Sequence, residues 1–321
     1  MHRVLISLAV TCLAFVAVSS VAQTYPERPV RIIVTFPPGG GFDNIARLLA
    51  PNIAKALGQQ VLIDNRPGAT GQVGTAAAAR ADPDGYTLLF GGVGALAIAP
   101  HLTKAQYDPL KDFVPISMVA INDGLIVVNP RFPGKNLKEF LDTVKQSPGK
   151  YSFATAGTGS VTHVAGELLK TRASLDMVHI PYKGDGPAIT DLIGGTVPIM
   201  VTVLATAAPY LKSGQVRAIA ALGSTRFPQI PDVPTLDESG FPGLTGGAWL
   251  ALYAPAGTPR EVVTKINAAV HLALQDKDVL VRLSAQGSKA VSSSPEELAA
   301  FTRDEYTKWG QVIRDNGIKM E

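Results

Sequence analysis

Residues 30–43 read Val-Arg-Ile-Ile-Val-Thr-Phe-Pro-Pro-Gly-Gly-Gly-Phe-Asp. Val30 to Phe36 is a β-branched run, suited to a buried strand. Pro37, Pro38 and three glycines then break it. From about Asp43 to Leu57 the pattern is helical, and Gly58 stops it. A strand, a glycine-rich turn and a helix make the unit from which parallel α/β sheets are assembled. Pro51, inside the helical stretch, predicts a kink or an early boundary.

The alternation continues outward from this stretch. Val61–Ile63 and Thr87–Phe90 read as strands, with an Ala-rich helix around Thr75–Ala81 between them. Asp82-Pro83-Asp84-Gly85 is a turn and lacks the third acid of a calcium loop. Within Ile116–Val128, Asn122-Asp123-Gly124 separates two apolar runs, as in a strand that leaves one domain and enters another. Asn136–Val144 opens with a capping box, Asn136 against Glu139. Tyr151–Ala154 is a strand running into Gly157-Thr158-Gly159-Ser160, with a helix over Val161–Thr171. Val197–Leu204, Val216–Leu222 and Ala248–Ala254 are further strands. Thr258-Pro259-Arg260-Glu261 and Ser294-Pro295-Glu296-Glu297 each combine an N-cap, an early Pro and a Glu at the third position. This order predicts largely parallel sheets in two α/β lobes, residues 23–122 with 231–321 and residues 123–230, joined by strands near 120 and 245.

Composition agrees with this class. The chain has 321 residues, 46% of them hydrophobic and 17% charged, enough for a sizeable core and too apolar for disorder. The net charge is only +3, with no long run of either sign, so no nucleic-acid footprint is expected. His2 and Arg3 are followed by an uncharged stretch, Val4–Val21, and small residues up to Ala22. Residues 1–22 therefore read as a cleavable signal peptide, with Gln23 as the new N-terminus and export to the periplasm as the outcome. No other stretch approaches membrane-spanning length, so the processed chain is expected to stay out of the bilayer. The single cysteine, Cys12, lies in this leader without a lipidation pattern. A mature chain without cysteine excludes disulfides, thiolate metal sites and a Cys nucleophile.

Chemistry is concentrated in two similar loops, Phe36–Asp43 and Thr155–His163. Each follows a strand, is rich in glycine, and opens a helix. Residues without side chains admit a ligand to the main chain, and free N–H groups at a helix start favour an anion. Neither loop contains Lys or Arg, so a carboxylate held there would meet neutral donors and helix dipoles.

Tyr25-Pro26-Glu27-Arg28-Pro29-Val30-Arg31 with Phe36-Pro37-Pro38-Gly39-Gly40 resembles the receptors of tripartite tricarboxylate transporters, the Bug family of periplasmic solute-binding proteins. So do Asn65-Arg66-Pro67-Gly68-Ala69, Pro83-Asp84-Gly85-Tyr86-Thr87-Leu88 and Ala156-Gly157-Thr158-Gly159-Ser160 with His163. Pro181-Tyr182-Lys183-Gly184, Val233-Pro234-Thr235-Leu236 and Ala254-Pro255-Ala256-Gly257-Thr258-Pro259 complete the series, in order along the mature chain. The resemblance implies a two-lobed, type II-like periplasmic-binding-protein fold with a ligand cleft between the lobes. It implies capture of a small organic carboxylate by lobe closure, delivery to a large and a small integral-membrane permease subunit, and no cofactor. The site residues it suggests are Phe36, Pro38, Gly39, Gly40, Gly41 and Asp43 in the first loop. In the second they are Ala156, Gly157, Thr158, Gly159, Ser160 and His163, with Gly92, Lys183 and Thr202 beside them. The chain departs from the pattern at Gly91-Gly92-Val93-Gly94, where relatives often carry Ser, and fewer hydroxyls there point to a different or less polar solute.

Blander roles stand beside these. Asp43 suits an N-cap, His163 a packed imidazole, Lys183 a solvated charge and Trp249 a core ring. A hydrolase using Ser160 and His163 is the enzymatic rival, although no G-x-S-x-G surrounds the serine. A ligand-loaded partner of a signalling receptor is the other alternative. Gly92-Val93-Gly94-Ala95-Leu96-Ala97 matches a dinucleotide fingerprint only superficially. His101, His163, His179 and His271 show no metal-ligand spacing.

Overall fold

The computed structural model describes residues 25–223 and 225–319. The leader expected over residues 1–22, and its cleavage before Gln23, lie outside the described residues. The chain first forms β1 (Val30–Val34), α1 (Gly41–Leu57), β2 (Val61–Asn65), α2 (Gln72–Ala79) and β3 (Thr87–Gly92). A π-type turn over Gly94–Ile98 and the short α3 (Ala99–Leu102) lead to β4 (Phe113–Asn122). After Asp123 it enters β5 (Gly124–Val128), α4 (Leu137–Lys145), β6 (Tyr151–Thr155), α5 (Val161–Ala173) and β7 (Met177–Pro181). The elements α6 (Asp185–Gly194), β8 (Ile199–Val203), α7 (Leu204–Lys212) and β9 (Arg217–Leu222) follow. The chain then returns as β10 (Ala248–Pro255), α8 (Arg260–Gln275), α9 (Lys277–Ala285), β11 (Ser288–Ala290) and α10 (Pro295–Asp315).

These strands make a six-stranded sheet, β11-β4-β10-β3-β1-β2, and a five-stranded sheet, β7-β6-β8-β5-β9. The sheets are mixed rather than largely parallel. β1 pairs in parallel with β2 and β3, and β6 with β7 and β8, as βαβ connections require. The strands that carry the chain between lobes reverse this direction: β10 runs antiparallel between β3 and β4, and β5 antiparallel between β8 and β9. All eight residues of β10 are buried.

The two crossings lie side by side. Ala248 pairs with Asn122 at the end of the first sheet, and Gly124 pairs with Leu222 at the start of the second. A Cβ on Gly124 would lie 2.5 Å from the Gly246 carbonyl oxygen. The connecting strands therefore pack main chain against main chain, where only glycine fits.

Helix α1 lays Ile45, Leu49 and Ile53 on one face of the first sheet, against Val30, Ile32 and Val34 and beside Ile266 and Val270 of α8. Each side chain buried fully in this way contributes roughly 1.5–3 kcal/mol. Pro51 neither ends nor divides α1, which continues to Leu57. It sits on the exposed side of the helix, where water can satisfy the carbonyl its missing N–H leaves free. The capping expectations divide. Ser294 and Glu297 form the full reciprocal box. Asn136 accepts from the Glu139 N–H, but the Glu139 carboxylate turns to the Lys135 N–H instead of that of Asn136. Thr258 does not cap α8: its hydroxyl donates to the Pro255 carbonyl, and Pro259 occupies the cap position.

Candidate functional site

A cavity of about 240 Å³ opens between the two sheets. The first lobe supplies the loop after β1 and residues 92–95 after β3; the second supplies Ala156, Ser160–Thr162, residues 183–187 and Val203. A neighbouring hollow of about 550 Å³ shares Phe36, Thr70, Ala156 and Lys183 with it. The cavity wall is mostly apolar, with the Phe36 and Phe42 rings 4.5 Å apart on one side. Gly92 must be glycine here, because a Cβ would stand 2.5 Å from the Trp249 carbonyl oxygen and 2.9 Å from the Phe42 ring.

Phe36, Pro38, Gly39, Gly40 and Gly41 all line the cavity. Gly40 is the N-cap of α1 and no side chain caps it, so the first N–H groups of this helix remain available to a ligand. Asp43 is neither an N-cap nor a cavity residue. It lies inside the first turn, 2% exposed, and accepts from Gly39 N (2.9 Å), Arg47 Nε (2.9 Å) and Asn65 Nδ2 (2.8 Å). Burial alone would raise its pKa, but hydrogen bonds from Arg47, Gly39 and Asn65 and the Arg47 charge hold it below the usual value. Both carboxylate oxygens are spent on tying the glycine loop to α1 and β2, which leaves none for a solute.

The second loop is built in the same manner. Ala156 and Ser160 line the cavity, and Gly157 and Thr158 line the neighbouring hollow. Ser160 caps α5, its Oγ accepting from His163 N at 3.1 Å. The His163 ring lies behind the loop: its Nδ1 accepts from Gly159 N at 3.2 Å, and it stacks on His179 at 4.2 Å. His179 Nε2 pairs with Thr155 Oγ1 at 2.7 Å. Burial first, then the Lys170 charge, lowers the His163 pKa to about 4. Burial, then His163 and Lys170, lowers that of His179 to about 3. Both imidazoles are therefore neutral at pH 7. Gly159 and His163 do not line the cavity; they support the loop from behind. The His163 ring also makes no bond to Ser160 Oγ, so no serine–imidazole dyad exists.

Among the described residues, Lys183 and Asp185 are the only ionisable side chains on the cavity wall. Sequence reading passed over Asp185. The one signal for it was an acid two residues after Lys183, in a glycine-rich segment that opens a helix. Its Oδ1 accepts from Thr202 Oγ1 at 3.0 Å. Thr202 is wholly buried and does not line the cavity, so its hydroxyl reaches the site only through Asp185. Thr70 was also missed. It adopts a left-handed conformation (φ 54°, ψ 39°) that no sequence pattern announces, and it bonds across to the second loop. Among the described residues, no group of three or more His, Cys, Asp or Glu could hold a metal ion. No helix among them is long and apolar enough to cross a membrane.

A family model described as "Tripartite tricarboxylate transporter family receptor" matches residues 45–318. The chain is 39% identical over 302 residues to Protein BugT of Bordetella pertussis, covering 94% of this chain and 93% of that protein. Among solved structures it is similar to MatC from Rhodopseudomonas palustris with bound malate (38% identity, TM-score 0.85, 90% of this chain and 100% of that one). It is also similar to R. palustris Rpa4515 with adipate (31% identity, TM-score 0.88, 92% of this chain and 99% of that one).

Proposed function

The chain belongs to the tripartite tricarboxylate transporter receptor family, a family of solute-binding receptors, and we propose that it captures a small organic carboxylate in the cavity between its lobes. The observation that carries this reading is the glycine loop on the cavity wall, which leads into the uncapped N-terminus of α1 at Gly40 and Gly41. Neutral main-chain donors and a helix dipole suit a carboxylate there, and Lys183 adds a positive charge at the rim. Structural relatives hold malate and adipate, acids of a size that a cavity of about 240 Å³ admits.

Residues 1–22 act as a cleaved export signal, and the mature chain works in the periplasm. Lobe 1 comprises residues 23–122 and 231–321, lobe 2 residues 123–230, and the lobes close on the solute about the paired crossings at 122–124 and 246–248. The loaded receptor then docks on large and small integral-membrane permease subunits. Direct contacts come from Phe36, Pro38, Gly39, Gly40, Gly41, Gly92, Ala156, Ser160 and Lys183. Asp43, Gly159, His163 and Thr202 hold those residues in place. The protein is a receptor and not a hydrolase, a reading supported by the His163 ring engaging Gly159 N and not Ser160 Oγ.

A thermal-shift panel of malate, adipate, other carboxylates and neutral sugars tests the assignment. A solute at 100 times its Kd stabilises the fold by about 2.7 kcal/mol. Shifts with carboxylates are expected; a shift with a neutral sugar and none with any carboxylate would overturn it.

A further inference from the structure

Resting on the carboxylate reading above, we propose that Asp185 selects a solute carrying an ammonium group as well as a carboxylate, an amino-acid-type zwitterion.

The cavity wall holds one cation, Lys183, and one anion, Asp185. Although only Gly184 separates them in sequence, they form no ion pair with each other or with any other described residue. Their charges are therefore presented to whatever occupies the cavity. Asp185 is the first residue of α6, where an acid is favourable for the helix dipole even when its carboxylate points into water. Here the carboxylate is turned inward, and the wholly buried Thr202 hydroxyl on β8 fixes one of its oxygens. That orientation does nothing further for the helix. It does leave a second acceptor oxygen without a protein donor.

Burial raises the Asp185 pKa to about 6, with the Thr202 hydrogen bond acting in the opposite direction. The side chain is anionic at pH 7.5. An anion on a mostly apolar wall repels a second carboxylate and attracts a group that is cationic and rich in N–H donors. An ammonium meets both requirements. The opposite pole of the solute then faces Lys183 and the N–H groups of the glycine loops. The two wall charges sum to zero, which matches a zwitterion and not a dianion.

Isothermal titration calorimetry at pH 7.5 on the mature chain tests this with three pairs of probes: L-leucine against 4-methylpentanoate, L-aspartate against succinate, and L-glutamate against glutarate. Each pair differs by the amine alone. The wild type is expected to bind the amine-bearing member of at least one pair tenfold or more tightly. Asp185→Asn should abolish that preference, weakening the amine-bearing probe at least tenfold while leaving its plain partner unchanged or tighter. Thr202→Val, which frees the carboxylate but keeps its charge, should give an intermediate loss. A wild-type preference for the plain acids, or an equal loss of both members in Asp185→Asn, overturns the proposal while leaving the carboxylate receptor intact. The wild-type comparison decides the matter even if the variant fails to fold. Binding of no carboxylate of either kind would instead overturn the receptor reading, and this proposal with it.

Discussion

Thr70 Oγ1 donates a 2.6 Å hydrogen bond to the carbonyl oxygen of Thr158, joining a loop of the first lobe to the glycine loop of the second. Thr70 holds a left-handed backbone to make it, a conformation that costs a non-glycine residue about 1–2 kcal/mol. The bond stands on the border between the cavity and the neighbouring hollow, and it exists only when the lobes are together. It therefore acts as a latch.

Replacing Thr70 with Val removes the latch and keeps the shape of the side chain. A neutral hydrogen bond contributes about 0.5–1.5 kcal/mol, so solute affinity should fall by up to about tenfold. The ligand-free protein should also spend more time open. Small-angle scattering should show a larger radius of gyration for ligand-free Thr70→Val than for wild type. The two proteins should become identical when saturated with solute.

Asp43→Asn keeps the size of the side chain and removes the charge that Gly39, Arg47 and Asn65 share. Stability should drop by about 1–3 kcal/mol, in the range for a charge-assisted bond to a buried group. Affinity should fall for every carboxylate probe by a similar factor, because the loop loosens as a whole. Urea unfolding and calorimetry check the two parts separately. A loss confined to amine-bearing probes would place Asp43, and not Asp185, against the ammonium.

Gly92→Ala would drive a methyl group into the Trp249 carbonyl and the Phe42 ring. The carbonyl belongs to the buried strand beside it and has little freedom to move. Overpacking of this kind costs about 1–3 kcal/mol, which the urea midpoint should report. Affinity should fall as well, since Phe42 forms part of the wall.

The stacked pair His163–His179 predicts acid sensitivity. Burial, with the nearby Lys170 charge, holds both pKa values below that of the unfolded chain, about 6.5. As pH falls through 6.5 the unfolded chain takes up protons first. The stability this pair supplies is complete above that pH and is lost progressively down to about pH 4, where His163 itself protonates. Each histidine adds up to about 1.4 kcal/mol per pH unit to the slope. Urea titrations at pH 7.5, 6 and 5 should show the decline. His179→Phe, which keeps the ring stack, should flatten it.

Elements with local causes were legible in the sequence. The β-branched run at Val30, the glycines after Pro38 and the Ser294–Glu297 box each determine their structure within a few residues. The split at Asn122-Asp123-Gly124 also showed where the chain changes sheets. What escaped depended on partners distant in sequence. Strand direction in the middle of each sheet is set by β10 and β5 as they cross between lobes, and no periodicity encodes that. Asp43 and His163 lie in the right loops, yet their side chains turn toward Arg47 and Gly159, and Thr202 lies behind the wall, bonded to Asp185. Residue type and position could not show which way each would face. Asp185 follows Lys183 by two residues in a glycine-rich turn, and only the fold places both side chains on the cavity wall.

The central position of β10 carries a consequence for how the chain is made. A chain that emerges N-terminus first releases β1 to β4 well before β10, with the whole of the second lobe in between. Until β10 arrives, β3 and β4 lack the strand that lies between them, and their edges stay unpaired. The first lobe cannot complete its sheet during early synthesis, and long-range pairing of this kind is slow in any case. Under the export proposed above, that delay is useful to a chain that is threaded through a membrane channel before it folds. A strand made after the whole of the second lobe thus completes the sheet that began first, and the first lobe stays unfinished until β10 has been made.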